Sequence, residues 1–321
     1  MQWFLNSTQA FRVGWVCWKK DRRFILAVRA FVYQALPRSG FEVVRFTWWC
    51  LSSYGPRLIA SLFVRRLPEV RSFSSDGALN LARQIRAVNL LAPTKMCLVM
   101  TKYGSDKAQR WHNYTPVYSA LLKRYRDRPV RILELGLGTN NPELRSSMGV
   151  DGRPGASLRG WRELFPRALV YGADIDRNIL FQENRIKTFY CDQLDQAAIR
   201  ELWSQPDLQG GVDIIVEDGL HTFEANISFL EGSLEHLRPG GMYVIEDIVQ
   251  DTAEKWHDQL ETVYSRRYPT LEFAFVALPN DSNHYDNNLL IIRRSAQADT
   301  SSAASGLNSS LATASSLTAS L

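Results

Sequence analysis

The chain has 321 residues, of which 45% are hydrophobic, so it is long enough to bury a substantial core. Its four cysteines are far apart and form no CxxC pair, which excludes a zinc ribbon and a disulfide scaffold and fits a reducing compartment. The net charge of +5 is uneven: residues 1–100 carry 15 Lys and Arg against 4 Asp and Glu, or +11, which leaves −6 for the remainder.

Residues 1–98 alternate apolar stretches with arginines. The stretches 24–32 and 58–66 have this pattern, which predicts short amphipathic helices with basic faces. Such helices could lie on an anionic membrane surface, but packing against the rest of the protein or a second subunit is favoured. No apolar run is long enough to span a bilayer, and no signal peptide is expected. We therefore predict a basic, aromatic-rich helical extension on a cytoplasmic protein, with peripheral membrane contact and homo-oligomer formation left open.

Residues 99–295 alternate short apolar runs with helical segments, which is typical of an α/β sheet. The predicted strands are 130–135, 169–174, 186–191, 212–217, 241–246, 271–278 and 288–293, and the predicted helices are 156–165, 197–204, 223–237 and 252–267. The loop at 279–287 favours an antiparallel hairpin for the last two strands. The prediction is thus a Rossmann-like, seven-stranded, mostly parallel sheet, followed at 296–321 by a disordered tail rich in Ser, Ala and Thr.

A glycine motif follows the first predicted strand, with Gly136 and Gly138 at its turn. Glycines at this point let the backbone pass close to a nucleotide-like ligand. Asp174 ends the second predicted strand, where a carboxylate can accept hydrogen bonds from ribose hydroxyls, and Asp192 and Gln193 follow the third, near the expected adenine. Three successive strand ends therefore indicate one bound adenosine.

Acidic residues follow the fourth and fifth predicted strands. Because these strands are neighbours in a doubly wound sheet, we expect Asp218, Glu246 and Asp247 to crowd together at its ligand edge. Carboxylates that close repel one another unless some are protonated or a cation lies among them. Oxygen ligands favour Mg²⁺, Mn²⁺ or Ca²⁺ over zinc. His221, three residues after Asp218, is placed to act as a base rather than as a ligand.

The motifs at 134–138, 171–174, 217–221 and 239–247 together resemble the class I S-adenosylmethionine-dependent methyltransferases, and among them the metal-dependent macrocin/mycinamicin-type sugar O-methyltransferases. The stretch 103–107, with His112, Asn113, Tyr114 and Tyr118, also resembles that family, and the resemblance covers about residues 100–294. The family usually reads Asp-Asp-Gly-Ser-His where this chain has Glu217 and Leu220, so acceptor contacts are expected to differ. The polar stretch 140–154 could form a lid or a surface loop.

The resemblance implies a methyltransferase that uses S-adenosyl-L-methionine to methylate a hydroxyl of a sugar or glycan in secondary-metabolite or polysaccharide biosynthesis. It implies that Asp218, Glu246 and Asp247 bind Mg²⁺, or another hard divalent cation, and that His221 is the general base. The acceptor would be a small molecule or a glycan. The cofactor-binding set given by the motifs together with the resemblance is Glu134, Gly136, Gly138, Ser157, Asp174, Asp192 and Gln193.

Three other interpretations remain open. A nicotinamide-dependent oxidoreductase would also use a glycine loop and a later acid, but Asn141 replaces the third glycine of that pattern and the acid cluster has no place in it. A non-catalytic binding or scaffold protein could keep the fold and dock through its basic N-terminal region. A nucleic-acid methyltransferase would suit the pI of about 9.0, but the motif for a flipped-base pocket is absent, so no nucleic-acid partner is expected.

Overall fold

The structure is a computed structural model that describes residues 64–73, 79–108 and 111–296, with isolated positions at 55, 57, 58 and 60–62. The predicted helix at 24–32 and the tail from 297 onward lie outside the described residues. Within the predicted helix at 58–66, the described positions 58 and 60–62 are helical, whereas 64–68 have no regular structure. No described helix is long and apolar enough to cross a membrane. The division at residue 98 remains a prediction.

The described residues form a nine-stranded mixed sheet in the order β1-β8-β9-β7-β6-β2-β3-β5-β4. Its strands are β1 (Glu69–Phe73), β2 (Arg131–Leu135), β3 (Leu169–Asp174), β4 (Gln182–Glu183), β5 (Ile186–Tyr190), β6 (Val212–Glu217), β7 (Leu237–Ile245), β8 (Leu271–Ala277) and β9 (Asn288–Arg294). The five central strands β5, β3, β2, β6 and β7 are parallel, and the outer strands pair antiparallel. This arrangement brings the carboxyl ends of five strands to one edge of the sheet.

The helices are α1 (Leu79–Arg86), α2 (Lys95–Tyr103), α3 (Thr115–Leu121), α4 (Ala156–Leu164), α5 (Gln196–Ser204), α6 (Phe223–Ser233), α7 (Ala253–Gln259) and α8 (Ser265–Arg267). Short 3₁₀ turns lie at Leu122–Tyr125, Arg177–Ile179, Pro206–Leu208, Leu234–His236 and Gln250–Thr252, and a π turn at Leu260–Tyr264 joins α7 to α8. Side-chain oxygens of Thr94, Asp195 and Thr222 cap the starts of α2, α5 and α6. Each cap accepts a backbone N–H that the first helical turn leaves unpaired.

The core lies on both faces of the sheet because successive strand residues point to opposite sides. In β2, Ile132 belongs to an apolar cluster that α1 to α4 cover, and Leu133 belongs to a second cluster that α5 to α7 cover. Trp161 of α4 and Trp256 of α7 are fully buried in these two clusters. The parallel strands are therefore buried on both faces, which explains their continuous apolar runs.

The predicted α/β fold is confirmed, and all seven predicted strands are present, with β8 and β9 as the antiparallel hairpin. Two further strands extend the sheet: β1, inside the segment predicted to be a helical extension, and β4 at the opposite edge. Strand β7 begins at Leu237, four residues before the predicted strand, and the register with β6 shifts near this start. The predicted helix at 252–267 is interrupted by the π turn at Leu260–Tyr264.

Candidate functional site

A cavity of about 560 Å³ opens at the carboxyl ends of the parallel strands. A volume of this size is typical of small-molecule sites. The loops that follow β2, β3, β5, β6 and β7 all contribute to its lining. Of the predicted site residues, those in the lining are Gly136, Gly138, Ser157, Asp174, Asp192, Gln193, Asp218, His221 and Asp247, whereas Glu134 and Glu246 lie behind it.

The glycine loop needs its glycines for space as well as for backbone conformation. Gly136 has a φ of +89°, and a Cβ there would lie 1.8 Å from the carbonyl oxygen of Asp218. Gly138 has a φ of +79°, and a Cβ there would lie 2.2 Å from the sulfur of Met148. A side chain at Gly136 is therefore excluded by the backbone of the loop after β6, whereas one at Gly138 would require Met148 to move.

Asp174 holds the glycine loop from the end of β3. Its Oδ2 accepts a hydrogen bond of 2.6 Å from the backbone N–H of Leu137, and its Oδ1 accepts one of 2.8 Å from Asp176. Burial raises the pKa of Asp174, and these backbone donors oppose that rise. Asp174 therefore lies beside the glycine loop as predicted, and it is one of the residues that line the cavity.

Glu134 is fully buried behind the glycine loop. The hydroxyl of Ser157 donates a hydrogen bond of 2.5 Å to its Oε1, and the indole N–H of Trp161 donates to its Oε2. In this geometry Glu134 attaches β2 to α4 and does not face the ligand space. Its predicted contact with the cofactor is therefore not supported by the position of its side chain.

Gln193 links the end of β5 to the loop after β6. Its amide N–H donates a hydrogen bond of 2.7 Å to Oε1 of Glu217, and its Oε1 accepts one of 2.8 Å from the backbone N–H of Leu220. Asn226 donates to the other oxygen of Glu217. Burial raises the pKa of Glu217 to about 7, against the opposing effect of these two amides. Glu217 was not among the predicted site residues. The position did stand out in the sequence, because the family usually has Asp where this chain has Glu217.

Asp218, His221 and Asp247 form the acidic face of the cavity. One potential ligand atom from each lies within 4.8 Å of the other two. The Nε2 atom of His221 is 3.2 Å from Oδ1 of Asp218 and 3.6 Å from Oδ2 of Asp247. Both His221 and Asp247 have left-handed backbone conformations, with φ of 60° and 53°. Such conformations are costly outside glycine and concentrate at functional sites.

The charge of His221 is set by these two carboxylates. Burial lowers the pKa of His221, but Asp247 and Asp218 outweigh it and raise the pKa to about 10. The two carboxylates therefore favour the protonated imidazole at neutral pH. Two carboxylates that face one cavity beside an imidazole are a donor set that fits a hard divalent cation.

Glu246 points away from this group into a buried ion pair. The ammonium of Lys107 lies 2.5 Å from its Oε2 and also contacts Oδ2 of Asp218. The hydroxyl of Tyr118 donates a hydrogen bond of 2.5 Å to Oε1 of Glu246, and that of Tyr114 donates one of 2.6 Å to Oδ1 of Asp247. The expected crowding of three acids is present, but Glu246 lies outside the group that faces the cavity.

Lys107, Tyr114 and Tyr118 were not predicted as site residues. Their signal in the sequence was the family-like stretch that begins at residue 103, which carried no assigned role. The structure places this stretch across the ends of β6 and β7, where it neutralises or hydrogen-bonds all three predicted metal-binding acids. The polar loop 140–154 also contributes to the cavity lining, through Arg145, Met148 and Arg153 among others.

The chain matches no family model. It is 36% identical over 149 residues to the 8-demethyl-8-alpha-L-rhamnosyl tetracenomycin-C 2'-O-methyltransferase of Streptomyces olivaceus, a match that covers 46% of this chain and 36% of the relative. It is also 36% identical over 149 residues to the demethylmacrocin O-methyltransferase of Streptomyces fradiae, covering 46% and 35%. To the L-olivosyl-oleandolide 3-O-methyltransferase of Streptomyces antibioticus it is 32% identical over 222 residues, covering 65% and 55%.

The chain thus spans between about a third and just over half of the length of these curated relatives. Among solved structures, the MycE methyltransferase in complex with Mg, SAH and mycinamycin VI is 25% identical, with a TM-score of 0.47, and the match covers 63% of this chain and 55% of that one. The predicted resemblance to macrocin/mycinamicin-type sugar O-methyltransferases is confirmed by the sequence relatives.

Proposed function

We propose that this protein is an S-adenosylmethionine-dependent O-methyltransferase that methylates a hydroxyl of a sugar or glycan. The observation that carries the proposal is that one cavity combines the glycine loop and Asp174 with the acidic face of Asp218, His221 and Asp247. Methyl transfer needs a cofactor and an acceptor oxygen within about 3 Å of each other in one pocket. The similarity to sugar O-methyltransferases supports the same activity.

The cofactor would lie along the glycine loop. Gly136 and Gly138 line the cavity, and Asp174 presents a carboxylate where ribose hydroxyls are bound in such sheets. Both oxygens of Asp174 already accept one backbone hydrogen bond, but a carboxylate has about four acceptor sites. Asp192 and Gln193 would border the adenine.

Asp218 and Asp247, with Glu246 behind them, would hold Mg²⁺ or another hard divalent cation. When bound, such a cation lowers the pKa of an acceptor hydroxyl. The negative charges of the two aspartates raise the pKa of His221 to about 10. A cation that neutralises both aspartates would lower this pKa and let His221 lose its proton. His221 would then accept the hydroxyl proton at Nε2 as general base.

The methyl transfer involves three groups: the acceptor hydroxyl, the sulfonium of the cofactor and the imidazole of His221. The acceptor oxygen attacks the sulfonium methyl, the carbon–sulfur bond breaks, and its electron pair stays on S-adenosylhomocysteine. The hydroxyl proton goes to Nε2 of His221, which releases it to solvent after product departure. The protein's main work is to align oxygen, carbon and sulfur and to hold the proton acceptor in place.

The size of the cavity favours a small-molecule acceptor, or the end of a glycan, over the middle of a polymer. Trp111 lies at its edge, and its side chain is half exposed. An exposed indole offers an apolar face to the C–H groups of a sugar ring. We place the activity in the cytoplasm, and the membrane and subunit contacts predicted for residues 1–98 stay predictions.

Calorimetric titration with S-adenosylhomocysteine and with NAD tests the cofactor, and transfer of labelled methyl from S-adenosylmethionine to a panel of deoxysugar glycosides tests the acceptor. We expect binding of S-adenosylhomocysteine, none of NAD, and label on a sugar hydroxyl. Binding of NAD alone would favour an oxidoreductase. Cofactor binding without methyl transfer to any sugar would favour a different acceptor class or a binding protein.

A further inference from the structure

Lys107 is a buried lysine that the proposed reaction does not use. It lies between α2 and α3, and its side chain is only 2% exposed. An ammonium is rarely buried to this degree unless several acids surround it. The surroundings of Lys107 therefore indicate what its charge does.

The Nζ atom of Lys107 meets three carboxylates that come from three different strands. It contacts Oδ2 of Asp218 after β6, lies 2.5 Å from Oε2 of Glu246 after β7, and lies 3.3 Å from Oε1 of Glu134 in β2. Glu134 and Glu246 are themselves almost fully buried. The ammonium thus ties the strand that leads into the glycine loop to both strands that carry the acidic face.

The remaining oxygens of these acids have other partners. Trp161 donates to Oε2 of Glu134, while Ser157 shares Oε1 of Glu134 with Lys107. Tyr118 donates to Oε1 of Glu246, and His221 lies 3.2 Å from Oδ1 of Asp218. Asp218 is therefore divided between two cations, with Oδ2 toward Lys107 and Oδ1 toward His221 and the cavity. Without the ammonium, nothing in the described surroundings would fix Oδ2 or balance the buried charges of Glu134 and Glu246.

We propose that Lys107 is a positioning residue whose ammonium acts as a built-in counter-ion: it holds Glu134, Asp218 and Glu246 together and competes with a divalent cation for their negative charge. This inference rests on the proposed function for the identity of the metal site. The fixed charge keeps the acidic face assembled when no metal is bound. It also weakens metal binding, since it already satisfies part of the negative charge.

The substitution K107M isolates this charge. A methionine side chain ends at the position of the lysine Cε atom, so it keeps the apolar stem and removes only the ammonium. Three carboxylate oxygens are then left around the vacated position, and a divalent cation can replace the lost charge. We expect K107M to unfold at a lower temperature than the wild type, and Mn²⁺ to raise its unfolding temperature by more than it raises that of the wild type.

Calorimetric titration with Mn²⁺ provides a second readout that does not require activity. We expect K107M to bind Mn²⁺ about tenfold or more tightly than the wild type, because one buried positive charge no longer opposes the ion. K107R keeps the charge and should retain wild-type Mn²⁺ affinity. K102M is the matched control, since Lys102 pairs with Glu163 on the surface at 2.6 Å and should show a wild-type response to Mn²⁺.

The double variant K107M/E246Q covers the case in which K107M does not fold. It removes the ammonium and one of its acids together, so it should be more stable than K107M. If K107M/E246Q is no more stable than K107M, the ammonium does not balance the charge of Glu246 and the counter-ion role is overturned. Equal Mn²⁺ responses of K107M and the wild type would also overturn it. Failure of the wild type to bind Mn²⁺ at all would instead contradict the proposed function.

Discussion

The two halves of the cavity are built in different ways. The cofactor half is made from backbone: two glycines with positive φ and a carboxylate that binds backbone N–H groups. The acidic half is made from charged side chains, with two carboxylates and an imidazole in front and a buried ammonium behind. Shape therefore governs the first half and charge balance governs the second.

This difference predicts what each half will tolerate. Backbone hydrogen bonds and close packing respond little to salt or to chelators, but they fail when a side chain is added. Charged clusters respond strongly when one charge is removed, because the groups left behind are buried without a partner. Substitutions and chelation can therefore change the two halves of the cavity separately or together.

The largest effect is expected from G136A, because Gly136 lies where the halves touch. The new Cβ would lie 1.8 Å from the carbonyl oxygen of Asp218, at a φ of +89° that alanine rarely adopts. We expect loss of S-adenosylhomocysteine binding in calorimetry and a loss of about 3 kcal/mol or more in the free energy of unfolding by urea.

G149A is the matched control for backbone strain. Gly149 also has a positive φ, of +69°, but a Cβ there would meet nothing within 4 Å. We expect G149A to cost about 1 kcal/mol and to bind the cofactor product nearly as the wild type does. Equal losses in the two variants would mean that strain, and not the contact with Asp218, accounts for the effect at Gly136.

Chelation should separate the halves without any substitution. We expect EDTA to abolish methyl transfer and excess Mg²⁺ to restore it, while the affinity for S-adenosylhomocysteine stays within about threefold, since the glycine loop binds through its backbone. Turnover and calorimetric binding are measured on the same samples. Methyl transfer that persists in EDTA would contradict the metal role of Asp218 and Asp247.

H221A should remove only the base. We expect turnover to fall by about 10²- to 10⁴-fold, the usual contribution of a positioned proton acceptor, with affinity for S-adenosylhomocysteine nearly unchanged. H236A is the control, because His236 stacks on Trp203 and does not line the cavity. Turnover of H221A equal to that of H236A would exclude His221 from the chemistry.

The parallel sheet was predictable because its signal is local. Each central strand is a short apolar run that can be recognised from its own residues. The residues that follow the run are therefore assigned to a strand end without knowledge of the rest of the fold. Asp218 and Asp247 were placed correctly on this basis, since β6 and β7 pair in parallel with Glu217 opposite Ile245. The edge strand β1 was missed because its exposed residues, among them Glu69 and Arg71, hide the apolar pattern.

The partners of the acids were not predictable from local pattern. Lys107 reaches Asp218 across 111 positions of sequence and Glu246 across 139. Glu246 and Asp247 follow the end of β7, and the left-handed backbone of Asp247 leaves Glu246 buried while Asp247 lines the cavity. The residue types at this strand end indicated neither that turn nor the side chains that surround the two acids.

The last prediction concerns the reactivity of Cys191, which lines the cofactor half just after β5. Burial, with Asp192 and Asp195 nearby, raises the pKa of its thiol to about 12. At pH 8 the reactive thiolate would then be about 10³-fold scarcer than in an unfolded chain, where the pKa is about 8.5. We expect iodoacetamide to label Cys191 correspondingly slowly in the folded protein and rapidly in urea, as measured by peptide mass spectrometry. Fast labelling in the folded protein would contradict the burial of Cys191 beside the negative charges of Asp192 and Asp195.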